Sequence, residues 1–174
     1  FAVQDEISQA IVSALKITLS GTEQAPIQSR STVSVEAYNK YLLGRHLWNQ
    51  RSTESLLAAT KPLREALEMD PAYGKAWAAL ADAYVLIPEY QAGSIKEYIP
   101  LAHEAIAKAL AINPDSARAL TTSAYIKFMY DFDHKGAHAD FEKAIQIDPN
   151  YATARQWYAE LLATENKLDA AIEQ

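Results

Sequence analysis

The sequence predicts an all-α fold, a solenoid of stacked helical hairpins, on three observations. Nearly one phrase recurs at ALEMDP (66–71), ALAINP (109–114) and AIQIDP (144–149), so a small structural unit is copied along the chain. Counting back from each proline, Ala66, Ala109 and Ala144 stand at minus five, Leu63, Ile106 and Phe141 at minus eight, and Ala59, Ala102 and Ala137 at minus twelve. Positions three and four apart share a helix face, and small residues opposite large ones let two helices pack closely. After the prolines comes a second helical pattern, clearest as Trp77, Leu80, Ala81 and Tyr84. Within it Gly44, Ala81, Ala124 and Ala159 share one place where a partner helix must come close. Such units bury their apolar faces only against neighbours, and the array they form offers a long binding surface.

Taken in order, residues 2–19 read as an amphipathic helix outside the repeat, with Val3, Ile7, Ile11, Ala14 and Leu15 on one stripe and Asp5, Glu6 and Gln9 on the polar side. Residues 20–33, with Gly21 and Pro26, read as a linker. Residues 34–174 are the array: Ser34 caps its first helix with Glu36 in the first turn, and the units are 37–73, 74–116, 117–151 and a truncated 152–174. Each unit is helix A, a turn, helix B, a turn. The first two units are longer than the third, so their A–B turns are expected to carry insertions, the longest being Ile87 to Ser94. Ser94 and Glu97 have capping-box spacing, and Pro100 predicts that helix B proper starts there. Asp70–Pro71, Asn113–Pro114 and Asp148–Pro149 each read as a cap followed by proline in the first helical position.

Trp77-x2-Leu80-Ala81-x2-Tyr84 and Ala137-x3-Phe141 resemble the tetratricopeptide repeat, whose unit is 34 residues. The resemblance implies a right-handed solenoid and a protein-interaction role. Lys40 stands where tryptophan is usual, and Leu120 and Lys127 replace tryptophan and tyrosine in unit three. FAVQDEIS followed by AIVSALKITLS resembles the closing helix of a TolB-like domain of bacterial signalling proteins, and EAYNKYLLGRHLWNQRSTESL and PNYATARQWYAELLA resemble the tetratricopeptide arrays that follow it. In those proteins the chain begins with an effector, commonly a class III nucleotide cyclase or a winged-helix DNA-binding domain. By this resemblance, 1–19 is the end of a preceding domain. The chain, from Phe1 to Gln174 inside a helix B, reads as a fragment of a longer signalling protein.

Composition narrows the function further. At 174 residues and 49% hydrophobic, the chain has enough apolar material for a core. A net charge of −6 argues against binding a phosphate backbone, so no direct nucleic-acid contact is expected. Zero cysteines remove disulfides and thiol catalysis, and no apolar run approaches the roughly 20 residues of a membrane span. The compartment is read as cytoplasmic, with the periplasm as the alternative.

The family pattern puts positions two, five, nine and twelve of each helix A in the groove. That implies Tyr38, Tyr41, Arg45 and Trp48; Lys75, Ala78, Asp82 and Val85; Arg118, Thr121, Tyr125 and Phe128; and Thr153, Gln156 and Glu160. The partner-binding set is Tyr38, Tyr41, Arg45, Trp48, Lys75, Asp82, Arg118, Tyr125, Phe128 and Gln156, since aromatics with arginines are the composition of binding hot spots. The competing reading packs Trp48, Tyr125 and Phe128 against the next helix or the inserted loop. Tyr41 and Arg45 occupy two places of the clamp that some members use for a C-terminal carboxylate, so that clamp is not expected. Asp131, Asp133, His134, His138 and Asp140 form a ligand-rich cluster, with His134 and His138 on one helix face. They read as an N-cap and a solvated outer face, hence no metal. With no glycine-rich phosphate loop and no G-x-S-x-G, no catalytic residue, cofactor or enzyme activity is expected. The expected partner is a protein or peptide; the alternative is a second copy, a homodimer that sets the oligomeric state of a fused effector. No membrane insertion is expected.

Overall fold

The computed structural model describes residues 34–174; the expected helix 2–19 and linker 20–33 lie outside the described residues. The described residues form α1 (Val35–Asn49), α2 (Thr53–Met69), α3 (Gly74–Leu86), α4 (Ile95–Ile112), α5 (Ala117–Met129), α6 (His134–Ile147), α7 (Ala152–Thr164) and α8 (Leu168–Glu173), with no strand among them. Each odd helix packs on the even helix that follows it, each even helix packs on the next odd one, and α1, α3, α5 and α7 touch in series. That connectivity is a helical solenoid whose A helices form one layer and B helices the other.

The ladder read from the prolines is its core. Ala59, Leu63, Ala66, Ala102, Ile106, Ala109, Ala137, Phe141 and Ala144 are all buried. Gly44 is buried against Leu63, and a β-carbon there would strike the leucine side chain. Ala81 and Ala124 hold the same place and are fully buried, whereas Ala159 is half-buried. Helix α3, covered on every side, is buried continuously from Ala78 to Leu86.

Where the sequence departs from the repeat, a helix B carries an answering charge. Lys40, in the tryptophan place, meets Glu65 of α2 at 2.5 Å. Lys127, in the tyrosine place, meets Asp140 of α6 at 2.6 Å, and Ser123 Oγ donates to the same carboxylate. Glu65 and Asp140 therefore bridge helices instead of lying free on a solvated face.

Three local expectations need correcting. Asp70, Asn113 and Asp148 close the helices before them, with φ near −140° to −131°, and their side chains accept from the amides of Ala72, Asp115 and Asn150. These are Asx turns that carry the prolines, and the next A helices begin three residues after each proline. The side-chain N-caps are Ser34, Ser52, Ser94, Ser116 and Asp133. Second, α4 runs unbroken through Pro100, as α2 does through Pro62. Each proline releases one carbonyl, of Lys96 and Ala58, and both residues are exposed, so solvent satisfies the freed oxygen. Third, the extra length of unit one lies in the 17-residue α2, not in its three-residue A–B turn. Only the second unit has an inserted turn. It is tied down by Thr53 Oγ1 donating to Tyr90 O at 3.0 Å and by buried Ile87, and so packs the units together.

Every A–B turn passes through one left-handed residue: Arg51, Gln91, Phe132 and Asn166, with φ of 51°, 57°, 56° and 60°. Two of these turns close in the Schellman manner, Ala92 N donating to Ile87 O and Lys167 N to Leu162 O.

Candidate functional site

The A helices touch in series and so present one continuous face, the A face. A chain of contacts crosses it from unit to unit: Arg45 lies over Trp48, Trp48 donates to Asp82 O, Asp82 holds Arg118, and Arg118 lies over Tyr151.

On that face a polar and aromatic cluster assembles from successive units. Tyr38 and Tyr41 on α1 have ring centroids 6.3 Å apart, and Tyr73, at the start of α3, stands 5.2 Å from Tyr41. Arg118 on α5 donates to Asp82 on α3, to which Thr122 also donates, and its guanidinium lies 5.2 Å over the Tyr151 ring. Asp82 is 1% exposed, so this ion pair is a buried bolt between units two and three. Burial opposes charge on Arg118, but the Asp82 carboxylate, Tyr151 and Tyr41 together outweigh it and raise the pKa. Burial first, then Asp82, pushes the Tyr151 phenol up to about 12.

The expected groove residues divide into a surface and a floor. Tyr38, Tyr41, Arg45 and Arg118 are half-buried, Thr153 likewise, and Lys75, Gln156 and Glu160 are exposed. Trp48, Ala78, Asp82, Val85, Thr121, Tyr125 and Phe128 are buried. Trp48 donates its indole N–H to Asp82 O at 3.0 Å. The Tyr125 ring lies 4.2 Å from Trp157, and Phe128 meets His134 edge-on. These side chains set the spacing of the units that carry the surface residues. Tyr73, Thr122 and Tyr151 are absent from the sequence-derived set. The repeated P-x-Y at 71–73 and 149–151 is the signal that would have found two of them.

The ligand-rich cluster around α6 is dispersed into separate contacts. Asp133 caps α6, Asp131 meets His103, and Asp140 holds Lys127. His134 and His138 converge on Glu165 in the last A–B turn, at 3.1 and 2.9 Å, where Lys167 joins at 2.8 Å. Lys167 and the two histidines hold the Glu165 carboxyl down at about 2. The histidines are thus an inter-unit latch rather than a solvated face. Among the described residues no group of three or more His, Cys, Asp or Glu converges as a metal site, and no helix is long and apolar enough to cross a membrane. Away from that cluster, a cleft of about 290 Å³ between α2, α3 and α4 is lined by Trp77, Tyr84, Leu101 and Glu104 among others.

Fold and face together define a helical-repeat scaffold. The tetratricopeptide repeat family model matches residues 128–174. With the same hairpin repeated upstream, the described residues are a tetratricopeptide repeat array. A protein of Rhizobium meliloti (strain 1021) that carries the provisional name adenylate cyclase 3 is 37% identical over 81 residues, which are 47% of this chain. The match spans 14% of that relative's length. Among solved structures, Pseudomonas aeruginosa pilF aligns over 79% of this chain and 72% of its own, at 23% identity and a TM-score of 0.41.

Proposed function

We propose that residues 34–174 work as one protein-interaction module, binding a protein partner along the A face on behalf of a longer bacterial signalling protein. The carrying observation is the cluster of half-buried tyrosines and arginines that α1, α3, α5 and the α6–α7 turn bring to one side of the solenoid. Large, stiff aromatic side chains offer much contact area at low entropic cost, and the buried Asp82–Arg118 bolt holds them in place. The array itself is read as a scaffold rather than a catalyst. The aligned segment of the Rhizobium meliloti relative favours an effector on the same chain, with cyclase chemistry first among the candidates. Site-specific photo-crosslinking in cells tests this reading. A crosslinker at Lys75, exposed on the A face, should capture a discrete protein, while one at Lys61, exposed on α2, should not. Capture from Lys61 alone would refute it.

A second reading has its own observation. Val35, Leu42 and Leu43 are exposed on α1, an apolar edge fit to meet a second copy. Under it, light scattering should give a dimer mass that Leu42→Glu with Leu43→Glu returns to a monomer. A monomer mass for the unaltered chain would remove this reading.

A further inference from the structure

The groove holds a cation that no acid of the described chain answers. Arg45 makes no ion pair among the described residues; its guanidinium lies 5.5 Å over the Trp48 ring, and its buried Nε has no acceptor. The other buried side-chain polar atom without a partner is the Tyr151 hydroxyl, which Thr153 approaches without completing a hydrogen bond of good geometry. Two residues 106 positions apart in sequence thus leave their unmet polar atoms on the same face. Buried donors are normally satisfied, so a coincident pair marks a place where a ligand completes the set. Arg118 is not available for this, because Asp82 already holds it.

We infer that the A-face groove takes an acidic side chain of its partner, an Asp or Glu whose carboxylate accepts from Arg45 and from the Tyr151 hydroxyl. The inference rests on the groove being the binding face, as proposed above. A guanidinium and a phenol offer donors that a planar carboxylate accepts together, and charge-assisted bonds of this kind are the strong ones. The site is fitted to one charge. Arg45 makes no ion pair among the described residues, Glu160 lies on the same face, and the whole chain carries −6. A nucleic acid or an anionic membrane, presenting many charges at once, would be repelled. The half-buried rings of Tyr38 and Tyr41 beside the site, tilted to each other and backed by buried Tyr73, suit the apolar or backbone parts of a peptide.

Panning a display library of random twelve-residue peptides on the full chain tests this, with Arg45→Gln, Arg45→Lys and Tyr151→Phe as comparison targets. Selected peptides should be enriched in Asp or Glu, should bind Arg45→Gln and Tyr151→Phe at least about tenfold more weakly, and should be only partly rescued by Arg45→Lys. Melting curves of the variants separate lost binding from lost fold, and Tyr151→Phe keeps the ring and removes only the hydroxyl. Peptides that bind the A face without acidic enrichment, or ignore both substitutions, overturn the carboxylate inference and leave the groove reading standing. A library that yields no A-face binder overturns both.

Discussion

Removing Asp82 is the sharpest test of how the units are joined. Its side chain, 2% exposed, is the only acid among the described residues that meets Arg118, whose side chain is 19% exposed, and it also takes the Thr122 hydroxyl. Breaking one partner of a buried pair costs about 3–5 kcal/mol, because the surviving charge stays desolvated. Arg118 keeps some exposure and its stack on Tyr151, and Thr122 keeps the Arg118 carbonyl at 3.2 Å, so the low end applies and Asp82→Ala should cost about 3 kcal/mol. For a chain of this size that is a fall of roughly 6–12 °C in Tm. Urea unfolding followed by circular dichroism reads it directly, and a lowered m-value would show units two and three coming apart. Replacing the whole pair, Asp82→Leu with Arg118→Met, should be near neutral or stabilising, leaving a coupling of about 2 kcal/mol or more in the double-mutant cycle. A loss below about 0.5 kcal/mol for Asp82→Ala, or a double variant as weak as the sum of the singles, would refute the bolt.

Three further expectations follow from the same geometry. Ala109→Leu, at a fully buried contact with the Ala78 and Ala119 cluster, should destabilise by about 1–3 kcal/mol through overpacking, read from the urea midpoint. Phe132→Gly should stabilise by about 0.5–1 kcal/mol, because a residue that is 77% exposed holds φ at 56° where only glycine is unstrained. Glu165 titrates near 2 in the folded chain against an ordinary 4.5, so the stability it lends is full above about 4.5 and lost as pH falls toward 2. Glu165→Gln should flatten that acid limb in melting curves taken between pH 2 and 6, whereas an unchanged limb would detach Glu165 from the latch.

How much of this was legible in the sequence depends on whether one residue type is forced. The alanine and phenylalanine ladder was readable because close helix packing admits only small residues opposite large ones, and the period repeats them. Helix spans followed from it. The left-handed turn residues were hidden, since Arg51, Gln91, Phe132 and Asn166 stand where glycine would have marked the conformation. Lys40 and Lys127 looked like defects in the motif; their partners Glu65 and Asp140 lie on another helix, and one sequence cannot show which distant acid answers a lysine. The groove was half legible. Period placed Tyr38, Tyr41, Arg45 and Arg118 on the A face, but it could not distinguish a side chain that stands in the groove from one, such as Trp48 or Tyr125, that swings into the next unit. Tyr151 was missed because its neighbourhood is made by Arg118 of the preceding unit, and packing between units leaves no local trace.

The central claim is that the A face is the working surface, and fluorine NMR of the chain labelled with 3-fluorotyrosine tests it most directly. On titration with the crosslinked partner or a display-selected peptide, the resonances of Tyr38, Tyr41 and Tyr151 should move, while those of Tyr84 and Tyr98, which meet each other where α3 packs on α4, should stay. Movement of Tyr84 and Tyr98 with the A-face tyrosines unchanged would put binding at the cleft between α2, α3 and α4 and contradict the account.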